Sequence, residues 1–226
     1  SPDELKVVYF HLYWNAFKPN SMMDQRVTNQ GLNADGRLMT KVNGKDVSRL
    51  ASIPANEEGS QKINWIKQKD KDLKFEIQET IMKVYLNEPL KPNSTTTFTL
   101  DWDAVIPHQI RRAGRNNREG VEMSMSQWYP KIAEYDYDGW ATFDYVGREF
   151  HAPFGDFDVT INIDKDYVIG AGGTLQNPNE VKGYAQNPTI KEDRNGKATW
   201  RLKAKNILDF AWAADPDFSV EEMTVI

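Results

Sequence analysis

The 226-residue chain contains no cysteine. Disulfide staples, thiol nucleophiles and thiolate metal sites are therefore excluded. Histidine is scarce as well, with His11, His108 and His151 alone. A zinc hydrolase of the HExxH kind needs two His four residues apart on a helix, with a Glu between them as general base. None of the three His has such a neighbour, so each reads as a core or surface side chain, and no metal site is expected in the chain. There is no excess of positive charge: 28 Lys and Arg face 33 Asp and Glu, for a net charge of −5. The basic footprint of a nucleic-acid-binding domain is missing. Long apolar runs are absent too. Val7-Val8-Tyr9-Phe10 is typical, far short of the ~20 residues that span a bilayer. No membrane span is expected, and no signal peptide is visible. A nucleophile elbow and a Walker A loop are also lacking.

What the chain does have is aromatic bulk and alternation. Seven Trp, nine Tyr and ten Phe can fill a substantial core. Phe157, Val159, Ile161 and Ile163 alternate with Asp158, Thr160, Asn162 and Asp164, the pattern of a half-buried antiparallel strand. Phe98, Leu100 and Trp102 alternate with Thr97, Thr99 and Asp101 in the same way, as do Ala198, Trp200, Leu202 and Ala204 with Thr199, Arg201 and Lys203. Val7 to Trp14 also reads as a strand. Over residues 73–86 the apolar parity changes from odd to even, which predicts a β-bulge near Gln78–Thr80, with two shorter strands as the alternative. Turns are expected at 87–94 and at Asp193-Arg194-Asn195-Gly196. A short helix is expected around Val47–Ala51, ended by Pro54. Strand follows strand without long helices. The fold class is all-β: an antiparallel β-sandwich or saddle-shaped curved sheets, in one domain spanning 1–226, with short helical segments in loops.

Candidates for chemistry are few. Gly170-Ala171-Gly172-Gly173 falls inside a strand-like run and reads as close backbone packing or a bulge. The basic stretch from Arg111 to Arg118 reads as a solvated loop, although Arg forks suit phosphate and carboxylate. Asp156 and Asp158 occupy the polar side of their strand, and Asp136 with Asp138 is a weak calcium pattern. The aromatic patch Trp128-Tyr129-Pro130 … Tyr135-Asp136-Tyr137-Asp138-Gly139-Trp140 is denser, and suits a core corner or a ligand surface. A stand-alone β-sandwich binding carbohydrate or peptide there would present Trp128, Tyr129 and Trp140 exposed and coplanar on one face. A complete hydrolase would instead bring carboxylates together in one pocket.

The run Ser124-Met125-Ser126-Gln127-Trp128-Tyr129-Pro130-Lys131-Ile132-Ala133-Glu134-Tyr135-Asp136 resembles the S/G-Q-W-Y-P-K/R-x-A-x-Y-D segment of M1-type zinc aminopeptidases of a Bacteroidetes-like branch. Three more stretches agree in order and spacing. They are Leu12-Tyr13-Trp14-Asn15-Ala16-Phe17-Lys18-Pro19-Asn20-Ser21-Met22-Met23, Gly155-Asp156-Phe157-Asp158-Val159, and Asp209-Phe210-Ala211-Trp212-Ala213-Ala214-Asp215-Pro216. The resemblance implies an N-terminal β domain without catalytic residues, whose zinc-bearing gluzincin domain and first strands lie outside this chain. It implies a peptide substrate, the zinc domain of the same polypeptide as partner, and a periplasmic or otherwise exported location. It also implies substrate-binding residues. Gln127 matches the first Gln of the family's T-Q-x-E/Q segment. The amine-binding position two residues on falls on Tyr129, beside Trp128, where a phenol replaces a carboxylate or amide. Such a domain should leave open sheet edges and exposed apolar surface where its neighbours belong.

Overall fold

The computed structural model describes residues 1–30, 38–109, 111–146, 151–221 and 223. Every strand pairing among them is antiparallel. Helical structure is confined to the helix Met22–Gln30 and short 3-10 turns. The all-β class is thus observed. The chain forms two compact units: Ser1–Arg111 with Gln127–Pro153, and Arg112–Ser126 with Phe154–Ile226.

In the first unit one sheet runs in the order Lys131–Ile132, Leu5–His11, Ile81–Leu90, Lys74–Gln78. A second runs Lys71–Asp72, Ser60–Gln68, Phe98–Val105. Val8, Phe10, Met82 and Val84 of the first sheet and Ile63 and Ile66 of the second share one buried cluster. The unit is therefore a small β-sandwich, driven together by the removal of these side chains from water. The alternation at Phe98, Leu100 and Trp102 supplies inward groups against that cluster.

The parity change at 78–80 is a hairpin turn, not a bulge. Gln78 pairs with Ile81, and Glu79 takes a left-handed conformation with φ 51°. Two antiparallel strands joined by Glu79-Thr80 produce the same odd-to-even switch as one bulged strand would. The register shifts of this unit lie elsewhere: one falls between Leu5 and Val7, and a bulge falls between Ile63 and Trp65. It turns Gln61, Ile63, Ile66 and Gln68 to the buried side of one strand. The segment expected to be helical near Val47–Ala51 divides into the strand Lys45–Ser48 and a 3-10 turn at Leu50–Ser52. A strand at Met39–Val42 pairs with Lys45–Ser48 around Asn43-Gly44, both at positive φ, 51° and 79°, as a tight hairpin turn demands.

The second unit holds a three-stranded sheet in the order Gly155–Asp164, Lys197–Ile207, Thr174–Leu175. It also holds a four-stranded sheet in the order Val168–Ala171, Trp212–Asp215, Met123–Met125, Gly114–Arg115. Ile161, Ile163, Trp200 and Leu202 are buried and the residues between them are not, as their alternation requires. Asp193 and Gly196 close the expected turn, with the Gly196 N–H donating to the Asp193 carbonyl at 3.0 Å.

Within the glycine run, close backbone packing is found at Gly173 and not at Gly170. A Cβ at Gly173 would lie 2.7 Å from the Lys203 carbonyl oxygen and 3.1 Å from Phe210 Cε2. The obstacle is backbone, which cannot swing aside. Gly173→Ala should therefore destabilise the chain by about 1–3 kcal/mol. Gly170→Ala, where nothing lies within 4 Å, should cost much less. Urea unfolding of the two variants checks the contrast.

Candidate functional site

The segment singled out by sequence, Gln127-Trp128-Tyr129, is anchored in the first unit. Gln127 is buried and stands at φ 52°, a left-handed conformation unusual for a residue with a side chain. Trp128 and Tyr129 are half-buried. Their rings stand edge to face, 5.3 Å apart at 75°, and Trp128 leans on Trp102 at 6.5 Å.

The backbone of Trp128 is held by a residue that sequence reasoning passed over. The Gln61 side-chain amide donates to the Trp128 carbonyl at 3.0 Å. Its oxygen accepts the Trp14 N–H at 3.2 Å. The Gln61 N–H in turn donates to Asn15 Oδ1 at 2.7 Å, and Asn15 Nδ2 reaches the Glu79 carbonyl at 3.3 Å. Gln61 is 3% exposed. One buried amide thus stitches the Leu12-Tyr13-Trp14-Asn15 segment to Trp128, two of the stretches that carry the family resemblance. No periodic signal marks such a residue, because a buried Gln and a surface Gln look alike in sequence.

A second anchor is Thr80 at the hairpin turn. Its carbonyl accepts the Leu12 N–H at 2.7 Å. Its hydroxyl donates to Asp144 Oδ1 at 3.0 Å and accepts the Tyr145 N–H at 2.9 Å. Tyr145 then packs edge-on against Tyr13 at 5.4 Å.

The second unit joins the other stretches. Met125 pairs with Trp212, Ser124 with Ala213 and Met123 with Ala214. The start of the Gln-Trp-Tyr-Pro run therefore lies in the same sheet as the Asp209–Pro216 stretch. Phe210 of that stretch packs on Phe157 of the Gly155–Val159 stretch, at 6.0 Å between ring centres.

The three His do different things. His11 is buried and stacked on Tyr13 at 4.9 Å, with its Nε2 3.1 Å from the Ala141 carbonyl. Burial drives its pKa down to about 4, so the ring is neutral at pH 7 and Nε2 carries the proton that it donates. His108 pairs with Glu57. His151 lies 3.4 Å from Glu134 and 3.5 Å from Asp136. Among the described residues no three His, Asp or Glu are grouped to hold a metal ion. Asp136 Oδ1 is occupied by the Asp138 N–H at 2.9 Å. Asp158 faces Lys203 at 3.0 Å across the sheet.

The aromatic patch does not form one coplanar platform. Besides the perpendicular Trp128 and Tyr129, Trp140 meets Tyr9 at 55° and Tyr135 at 65°. Tyr137 is 95% exposed and lies outside this cluster of ring contacts. A separate open cleft of about 550 Å3 is lined by Tyr9, Glu76, Ile77, Lys83, Thr142 and Asp144, with none of the three candidate residues among them.

What the fold and the segment define is an antiparallel, all-β protein with a rigidly braced Gln-Trp-Tyr-Pro loop. In fold it is similar to M1 zinc metallopeptidases. An M1 zinc metallopeptidase from Deinococcus radiodurans shares 9% identity at a TM-score of 0.45, over 94% of this chain and 35% of that one. Variants of a two-domain M1 zinc metallopeptidase, bound to L-arginine and to L-tryptophan, share 10% and 11% identity at TM-scores of 0.45 and 0.44, over 95% and 94% of this chain and 35% of theirs. The chain thus spans about a third of the length of these solved structures. No family model matches the chain, and no curated protein does. No helix among the described residues is long and apolar enough to cross a membrane.

Proposed function

We propose that residues 1–226 form the non-catalytic, substrate-cleft-forming β domain of an M1-type zinc aminopeptidase. In this reading zinc and its HExxH helix belong to a catalytic domain of the same polypeptide. The parent enzyme removes N-terminal residues from peptides and works in the periplasm or another exported compartment.

The observation that carries the proposal is the meeting of the stretches that resemble the family. They lie up to ~200 residues apart in sequence, yet Trp14 and Trp128 share one buried amide, and Ser124-Met125 pairs with Ala213 and Trp212. Segments matched separately on residue pattern thus turn out to be built as neighbours. Gln127, Trp128 and Tyr129 sit in a braced loop, as a substrate-contacting edge requires, since a contact group must be held rigidly to add binding energy. Tyr129 offers a ring face and a phenol oxygen to the substrate's ammonium group.

The reading frame beyond Ile226 provides the first test. An HExxH motif within the next ~100–200 codons is expected, and a frame without one overturns the proposal. In the full-length enzyme, Tyr129→Ala should raise KM for peptide substrates by about 3- to 30-fold, the value of one cation–π or hydrogen-bond contact. kcat should change little, because ground-state anchoring is what is lost. Unchanged kinetics would remove Tyr129 from the site.

A further inference from the structure

The strand Gly155–Asp164 forms the edge of its three-stranded sheet. Lys197–Ile207 pairs along one side of it, and among the described residues no strand pairs along the other. Natural proteins blunt such edges with Lys, Pro, bulges or brevity. A register shift between Gly155 and Phe157 marks the start of this strand; from Asp158 to Asp164 the edge has no Lys and no Pro, and its register runs unbroken. One face presents Asp158, Thr160, Asn162 and Asp164 to solvent, and the other carries half-buried Val159 and buried Ile161 and Ile163. Across the pairing, the inner neighbour sets cations against this acidic row. Lys203 stands opposite Asp158, Arg201 opposite Thr160 and Lys197 opposite Asp164. Among the described residues no strand on the outer side supplies such a counterpart.

We infer that this edge takes up an extended peptide segment as an added antiparallel strand, one that alternates Lys or Arg with β-branched apolar residues. Backbone hydrogen bonds would supply the attachment and the alternating side chains the selectivity. Apolar residues of the guest would continue the Val159–Ile161–Ile163 side, and its cations would stand beside Asp158 and Asp164. A second copy of this edge is the wrong partner. Antiparallel self-pairing brings Asp158, Asp164 and the preceding Asp156 against an identical acidic row, and like charges across strands are unfavourable. The inference does not rest on the aminopeptidase reading, although that reading also expects open sheet edges.

The test is titration of the full chain, labelled with 15N, with three synthetic peptides of about eight residues, a common strand length. One alternates Lys and Val, one carries the same residues in two blocks, and one alternates Glu and Val. Saturable shifts of the Val159–Ile163 amides are expected with the first, and binding about tenfold weaker with the other two. The double variant Asp158→Lys with Thr160→Lys, both exposed positions, should lose the Lys/Val peptide and accept the Glu/Val one. That gain of binding separates charge selection from misfolding. Equal responses to all three peptides, or shifts confined to other strands, would overturn the inference. Concentration-dependent pairing of these same amides without peptide would overturn it in favour of a second copy.

Discussion

Gln61→Leu is expected to destabilise the chain by about 2–5 kcal/mol, although Leu is similar in size and apolar. The substitution removes the hydrogen bonds that the two ends of the Gln61 amide make to the buried Trp14 N–H and the part-buried Trp128 carbonyl. Each buried group left without a partner costs about 1–3 kcal/mol. Leu contributes apolar burial in return, but cannot replace either bond. Gln61→Glu provides the informative contrast. It keeps an acceptor for Trp14, loses the donor to Trp128, and brings a charge into a site 3% exposed. It should be at least as destabilising as Leu. Urea unfolding with matched m-values measures both, and near-UV circular dichroism should show Trp128 released. A cost below about 1 kcal/mol for Gln61→Leu would mean that water enters and replaces the amide.

Acidification should unfold the chain earlier than its carboxylates alone require, and His11 is the reason. Its ordinary pKa near 6.5 falls to about 4 in the fold. The largest cause is burial, which penalises the imidazolium. The nearby Lys131 adds to it, and the hydrogen bond to the Ala141 carbonyl opposes it. The unfolded chain therefore takes up the proton first. The stability linked to neutral His11 is fully present above pH 6.5 and is lost progressively as the pH falls through about 4. Between pH 7 and pH 4.5 this amounts to about 2–3 kcal/mol. His11→Gln keeps a donor for Ala141 and cannot be protonated in this range. The difference in stability between pH 7 and pH 4.5 should shrink by that amount in the variant. Parallel pH profiles for the two proteins would show that His11 is hydrated or paired when charged. Carboxylate titrations are common to both proteins and cancel in the comparison.

Both predictions rest on polar residues at buried positions, and these are where sequence and structure part company. Gln61, Thr80 and His11 lie at the meeting of the hairpin turn, the Leu12–Asn15 segment and the Trp128 loop. A polar side chain among strands is read as facing solvent unless its partner is known, and each of these partners lies more than 45 residues away. The parity change at 78–80 misled for a related reason. A hairpin and a bulge both switch the buried face, and what separates them is whether the two segments pair with each other, as Gln78 and Ile81 do.

Sequence by itself determined the all-β class and the inward faces of Phe98–Val105, Gly155–Asp164 and Lys197–Ile207. A half-buried antiparallel strand must alternate apolar and polar residues, and that demand is local. The Asp193–Gly196 turn was local as well. Tertiary structure alone decided the rest: that residues 112–126 leave the first unit for the second, that Gln61 braces Trp128, and that the acidic strand lies at an edge. Each of these is a pairing between distant segments. Its free energy depends on which groups lose water together, and no short stretch of chain encodes that.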